Sequence, residues 1–292
     1  MSVIKYFFIC FLSISLNVHA QTKKAENTLL WEISGKDLKK PSYLFGTYHL
    51  IGKDFVDTMK VVNEKLKSVD AVVGEIVMND SVAIKLSNYF TMKGNTLDHL
   101  LSKDEYKKVE DFFKEKMPNF NLKGLNNYKP VMISMFITLF NASEKGLPEK
   151  GLDDSFQIFA KENNKKIIGL ETAEFQGELL FNTDLEKQKK ALLKAIKEND
   201  KNKLKVKELY QYYIAQDMEK LNEFFKEEDE DSKEFMTDLL KNRNNRWLDK
   251  LPQLMRANSL FIAVGAGHLL GDEGLIKGLQ NLGYDVKPIA TN

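Results

Sequence analysis

Cysteine and histidine are scarce: the 292-residue chain has one cysteine, Cys10, and four histidines. Cys10 lies inside an N-terminal apolar run that reads as a leader, so the mature chain is expected to carry no thiol. That excludes a disulfide framework and a cysteine nucleophile. Charge of one sign is lacking too, with 43 Lys and Arg against 42 Asp and Glu, and loss of Lys5 with the leader would balance them. A balanced chain argues against a nucleic-acid partner, which needs a basic face. Beyond the leader the longest apolar run, Val131 to Phe140, is about half of a bilayer span and reads as a buried helix. There is no G-x-S-x-G elbow, no H-E-x-x-H helix and no phosphate loop ending in Lys-Ser/Thr. Gly265-Ala266-Gly267 with Gly271 lacks the dinucleotide-loop spacing, and His268 stands where a phosphate would approach.

What is present begins with that leader. Lys5, the apolar stretch Tyr6 to Leu16 and the small-x-small site Val18-His19-Ala20 before Gln21 form the pattern of a cleaved secretory signal. The expected organisation is a signal peptide over 1–20, a polar tether over 21–28 and one domain over 29–292. The protein is expected in the periplasm or secreted, with no transmembrane anchor after cleavage.

Within the domain, strand-type runs occupy two segments. Tyr43-Leu44-Phe45 ends at Gly46, a helical face of Met59, Val62, Leu66 and Val69 follows, and Ala71-Val72-Val73 ends at Gly74-Glu75. This is the length of a βαβ unit. The second segment starts with Lys166 to Glu171, resumes at Leu260 to His268, continues through a helix near Asp272 to Gln280 and ends on a strand around Val286 to Ile289. The reading is α/β, with two half-sheets from a remote duplication and a long helical insert over about 172–258. Ser102 and Glu105 have capping-box spacing. Val206, Leu209, Tyr210, Tyr213 and Ile214 share one helical face. The acidic run Glu227 to Asp231 reads as a solvated helix end or loop.

Two histidines close short glycine turns after buried strands: His49 in Gly46-Thr47-Tyr48-His49 and His268 in Gly265-Ala266-Gly267-His268. Glu75 and Glu171 follow strands in the same way. Strand ends of α/β sheets are where ligands bind. If Tyr43–Phe45 and Ala71–Val73 are neighbours, roughly 4.8 Å apart, His49 and Glu75 emerge side by side, and Glu171 and His268 do so in the second half. Two imidazoles and two carboxylates at one edge make a mixed nitrogen/oxygen site for a divalent metal. Glycines 46, 74, 169, 265 and 267 suit a backbone that turns sharply beside a ligand. His99 lacks this setting and reads as a surface or structural residue, and Trp247 as a core anchor.

Five ordered motifs carry a resemblance. They are Tyr43 to His49, Val72-Val73-Gly74-Glu75, Ile168 to Thr172 with Gln176, Arg243-Asn244-Asn245-Arg246-Trp247, and Val264 to Leu269. Lys129-Pro130 and Gly151-Leu152-Asp153 are lesser landmarks. The chain resembles the TraB/GumN family, related to the Tiki ectodomains. The resemblance implies a three-layer α/β/α fold with a mixed, mostly parallel sheet and an internal duplication. It also implies a metalloprotease-type site, with manganese or cobalt more suitable than zinc, and His49, His268, Glu75 and Glu171 as metal ligands. Arg243 and Asn244 match the family's Arg-Asn pair.

On that basis the expected activity is hydrolysis of a peptide or small-molecule substrate. One glutamate completes the metal shell and the other acts as general base. Arg243 stabilises the oxyanion or forms a salt bridge, and Asn244 orients substrate. The alternative is a non-catalytic exported protein that sequesters a peptide, a metal or a haem-like ligand.

Overall fold

The computed structural model describes residues 27–142, 146–226 and 230–292, apart from the side chains of 230–232. The expected leader, tether residues 21–26 and the side chains of the acidic run Glu227 to Asp231 lie outside the described residues. Thr28 is buried, and its hydroxyl donates to the Ile289 carbonyl at 2.5 Å, so the described chain is tied down from its start. No helix among the described residues is long and apolar enough to cross a membrane.

The strands are β1 (Leu30–Ser34), β2 (Ser42–Thr47), β3 (Ala71–Gly74), β4 (Lys166–Gly169), β5 (Leu260–Gly265) and β6 (Asp285–Ile289). They form one mixed sheet in the order β4-β3-β5-β2-β1-β6. Neighbours β4, β3, β5 and β2 run parallel, whereas β1 is antiparallel to β2 and β6. Burial explains the placement. β2 and β3 are buried throughout and β5 almost so, as strands covered on both faces must be. The flanking β4 and β6 carry exposed Lys166, Asp285 and Lys287.

The lateral order corrects the expected pairing. Tyr43–Phe45 and Ala71–Val73 are not neighbours, because β5 lies between β2 and β3 and pairs with both. The two segments therefore interleave within one sheet instead of building two half-sheets side by side. Strand β1 has no counterpart among the sequence expectations. Its partner β2 is reached through a turn in which Gly35 and Lys36 both take positive φ, 79° and 51°.

The helical face of Met59, Val62, Leu66 and Val69 packs into the sheet core. A second, purely helical core gathers Leu97, Val109, Phe113, Leu122, Ile133, Ile137 and Leu192. It draws on the Lys103–Lys116, Pro130–Ala142 and Leu185–Lys197 helices, so most of it comes from chain before β4, with Leu192 entering from the insert after β4. Ser102 and Glu105 form both bonds of a capping box. The Val206–Ile214 face is only partly buried: Tyr213 is enclosed, while Ile214 is exposed.

The strand-end glycines serve close packing. None of residues 46, 74, 169, 265 and 267 has positive φ. A Cβ on Gly74 would stand 2.9 Å from Gln157 Nε2, and one on Gly46 would stand 3.1 Å from Ala266. The enclosed Tyr213 hydroxyl donates to the Gly46 carbonyl at 2.8 Å, fastening the Asn199–Ile214 helix to the end of β2. Tyr213→Phe removes this buried bond and should lower unfolding stability by about 1 kcal/mol, read by urea denaturation, with secondary structure unchanged by circular dichroism.

Candidate functional site

Four parallel strands finish at one edge, and each delivers one of the four expected residues. Across that edge the order is Glu171 after β4, Glu75 after β3, His268 after β5 and His49 after β2. The neighbours are thus Glu171 with Glu75, Glu75 with His268, and His268 with His49. They replace the pairs expected from sequence. Pairing continues past the strand ends, since Glu171 N donates to Glu75 O at 2.8 Å. The two carboxylates are thereby held level.

Arg243 opens the Arg243–Ala257 helix and lies in the middle of this edge. Its side chain is 5% exposed. All five guanidinium N–H groups are used. Nε donates to both Glu171 oxygens at 3.1 Å. Nη2 donates to Glu75 Oε2 at 2.5 Å and to Glu171 Oε2 at 2.8 Å. Nη1 donates to the Leu239 carbonyl at 3.2 Å and faces His268 Nε2 at 3.0 Å. Behind the group, the guanidinium carbon sits 4.8 Å from the centre of the Trp247 ring. Gln176 Nε2 donates to Glu75 at 3.1 Å and to Glu171 at 3.3 Å, and Gly265 N donates to Glu75 Oε1 at 3.1 Å.

Asn244 fixes the tautomer of His268. Its Nδ2 donates to the carbonyls of His268 and Glu273, at 3.1 and 2.8 Å. Its Oδ1 must therefore accept from His268 Nδ1, 2.7 Å away. Nδ1 carries the proton, and Nε2 offers its one lone pair to Arg243. Trp247 is a core anchor as expected: it is fully buried, with its ring centroid 4.3 Å from that of His268.

His49 is built differently. Its ring is 70% exposed, and Nδ1 lies 2.7 Å from Asp153 Oδ2. Thr47 Oγ1 donates to Asp153 Oδ1 at 2.7 Å. Asp153 stands in the first turn of the Leu152–Glu162 helix. A carboxylate gripping Nδ1 leaves Nε2 as the free edge of the ring. In the sequence Asp153 is visible only as a landmark, because an acid in a first helical turn ordinarily answers the helix dipole. His99 lies on the surface, apart from this edge.

The electrostatics differ at each group. Asp153, by charge and hydrogen bond, raises His49 to about 9. Burial pushes Glu75 upward, but the positive potential of His268, Arg243 and His49 overrides it and holds the carboxyl at about 2. Burial lowers His268 to about 3, with Arg243 and His49 reinforcing and Glu75 opposing. His268 is therefore uncharged at pH 7, and Arg243 with His49 keeps Glu75 ionised there. Burial lowers Arg243, yet Glu75 and Glu171 outweigh it and raise the group.

Among the described residues no cluster of three or more His, Cys, Asp or Glu side chains is arranged to hold an ion. The guanidinium of Arg243 stands where Glu75, Glu171 and His268 converge.

A family model described as the TraB/PrgY/gumN family matches residues 29–288. Comparison with curated proteins and with solved structures found no match.

These shifts give a stability curve with two limbs. Unfolded His268 and Glu75 bind protons below about 6.5 and 4.5, where the folded groups do not, so stability falls on acidification toward pH 3 and 2. His49 holds its proton up to about 9, so its contribution is complete below 6.5 and is lost as pH rises through 9. Urea unfolding across pH should show a maximum near 6.5. Its alkaline limb should be the shallower one, because His49 is exposed. His268→Gln should flatten the acid limb between pH 6.5 and about 4.5; an unchanged limb would show that His268 titrates normally.

Proposed function

This chain belongs to the TraB/PrgY/gumN family, and we propose that it is an exported, metal-dependent hydrolase acting on peptide bonds. The observation that carries the proposal is the convergence of two imidazoles and two carboxylates on one strand-end edge. The imidazoles differ in kind, one enclosed and uncharged, the other exposed and proton-holding.

The donor chemistry fits a mid-sized divalent ion. Glu75, Glu171, the unprotonated Nε2 of His268 and the free Nε2 of His49 would hold it. A set with two carboxylates favours Mn²⁺ or Co²⁺ over zinc, whose sites are richer in nitrogen and sulfur. Such an ion, when bound, lowers the pKa of the water it carries.

The remaining roles belong to the chain itself. Asn244 holds His268 in the tautomer with a free Nε2, as partners behind ligating histidines do. Gln176 and the Gly265 amide keep the two carboxylates facing each other. Asp153 orients His49 by gripping its Nδ1, which leaves Nε2 facing the site. Arg243 has every N–H engaged, four in the cluster and one on the Leu239 carbonyl, so in this arrangement it positions the carboxylates and is not free for an oxyanion. A groove of about 1120 Å³ adjoins Tyr48 and is lined by Ile51, Phe55, Leu204, Tyr210 and Ile214. Its size and mixed lining suit an extended peptide.

The same saturation by Arg243 supports a second reading, in which the protein sequesters a ligand without turnover. The two separate in one assay. Purified protein is incubated with a peptide library and Mn²⁺, Co²⁺, Zn²⁺ or chelator, and products are read by mass spectrometry. Metal-dependent cleavage should fall about 100-fold or more in Glu75→Gln and His49→Ala. Stoichiometric peptide binding with no product under any metal would favour the binding protein.

A further inference from the structure

We propose that Arg243 is an internal cation that competes with the divalent metal for this site, so that metal enters only when the guanidinium leaves. The inference rests on the reading of the cluster as a metal site and concerns how that site is controlled.

His268 cannot serve both cations. An imidazole nitrogen has a single lone pair. Asn244 holds the proton on Nδ1, and the Nε2 lone pair faces Arg243 Nη1 at 3.0 Å. His268 therefore binds the guanidinium or a metal, never both. Glu75 Oε2 and Glu171 Oε2 both accept from Nη2, at 2.5 and 2.8 Å, and Glu75 Oε1 is 3.9 Å from His268 Nε2. One guanidinium thus joins three of the four side chains that an ion would gather.

The guanidinium leaves one of the two carboxylate charges uncompensated within a largely enclosed site. A divalent ion would neutralise both, which gives it an advantage over the monovalent group it displaces.

The helix that carries Arg243 offers the guanidinium a route of exit. Thr237–Asn242, directly before Arg243, is a π-helical segment. Such segments hold a surplus residue in the turn and recur at functional sites. Returning that turn to α-helical register would rotate Arg243 by about 100° about the helix axis and carry the guanidinium away from the strand ends. The Nη1 bond to the Leu239 carbonyl, inside this segment, links the side chain to the helix that would rearrange.

The test measures binding of MnCl₂, and separately of CoCl₂, by isothermal titration calorimetry with the whole purified protein. Wild type is compared with Arg243→Ala, Arg243→Lys and the double variant Arg243→Ala/His268→Ala. Arg243→Ala should bind Mn²⁺ at least about tenfold more tightly than wild type, and its thermal midpoint should rise with metal more than that of wild type. The double variant should lose the gain. If Arg243→Ala does not fold without metal, Arg243→Lys carries the comparison. One ammonium cannot bridge Glu75, Glu171 and His268 together, so its affinity should fall between wild type and Arg243→Ala. Equal affinity in wild type and both single variants would overturn the competition and leave the metal reading standing. Retention of the gain without His268 would place the ion elsewhere and overturn the proposal. Absence of binding in every variant would overturn the proposal and the metal reading together.

Discussion

A single buried guanidinium holds the end of the sheet together. Arg243 reaches from the start of a late helix to two carboxylates and an imidazole that arrive from three different strands. Two enclosed carboxylates side by side are unfavourable without a cation. The low pKa of Glu75 depends on that cation together with His268 and His49, and Asn244 sets the tautomer in which His268 can accept from it. Four of its five donors satisfy the cluster, the fifth takes the Leu239 carbonyl, and Trp247 closes the face behind it. A compact ammonium could supply the charge but not the fork.

The sheet explains why these groups meet at all. Parallel strands end at a common edge, and residues just past their ends share one small volume whatever their separation along the chain. Here the strand from the last part of the sequence enters between two strands from the first part. His268 is thereby set beside Glu75, and His49 stands at the outer side, next to solvent. One imidazole becomes a buried neutral acceptor and the other an exposed, carboxylate-backed ring. Similar G-x-x-H turns end in opposite protonation states because one ring is enclosed against Asn244 and Arg243 and the other is backed by Asp153.

Much of this was legible in the sequence. The strands ending at Gly46, Gly74, Gly169 and Gly265, the Met59–Val69 stripe and the Ser102 capping box are local patterns, and local patterns survive folding. The four strand-end side chains were found because glycine turns after buried runs mark strand ends. Lateral order was not legible, since hydrophobic runs reveal which segments are strands but not which lie adjacent. β1 escaped because Leu30-Trp31-Glu32-Ile33 is short and lacks clean alternation. The Arg243 network was hidden by distance: nothing near Arg243 in sequence points to Glu75 or Glu171. Asp153 was hidden by ambiguity, because a first-turn acid has a sufficient helical explanation without His49.

The account stands on the state of one ring, His268: uncharged, with its proton on Nδ1 and Nε2 accepting from Arg243. Nitrogen-15 NMR of the histidine rings reads this directly. The account predicts a neutral Nδ1–H tautomer for His268 that persists between about pH 5 and 8, with Nε2 shifted by an accepted hydrogen bond. An imidazolium signal in that range, or a proton on Nε2, would contradict it.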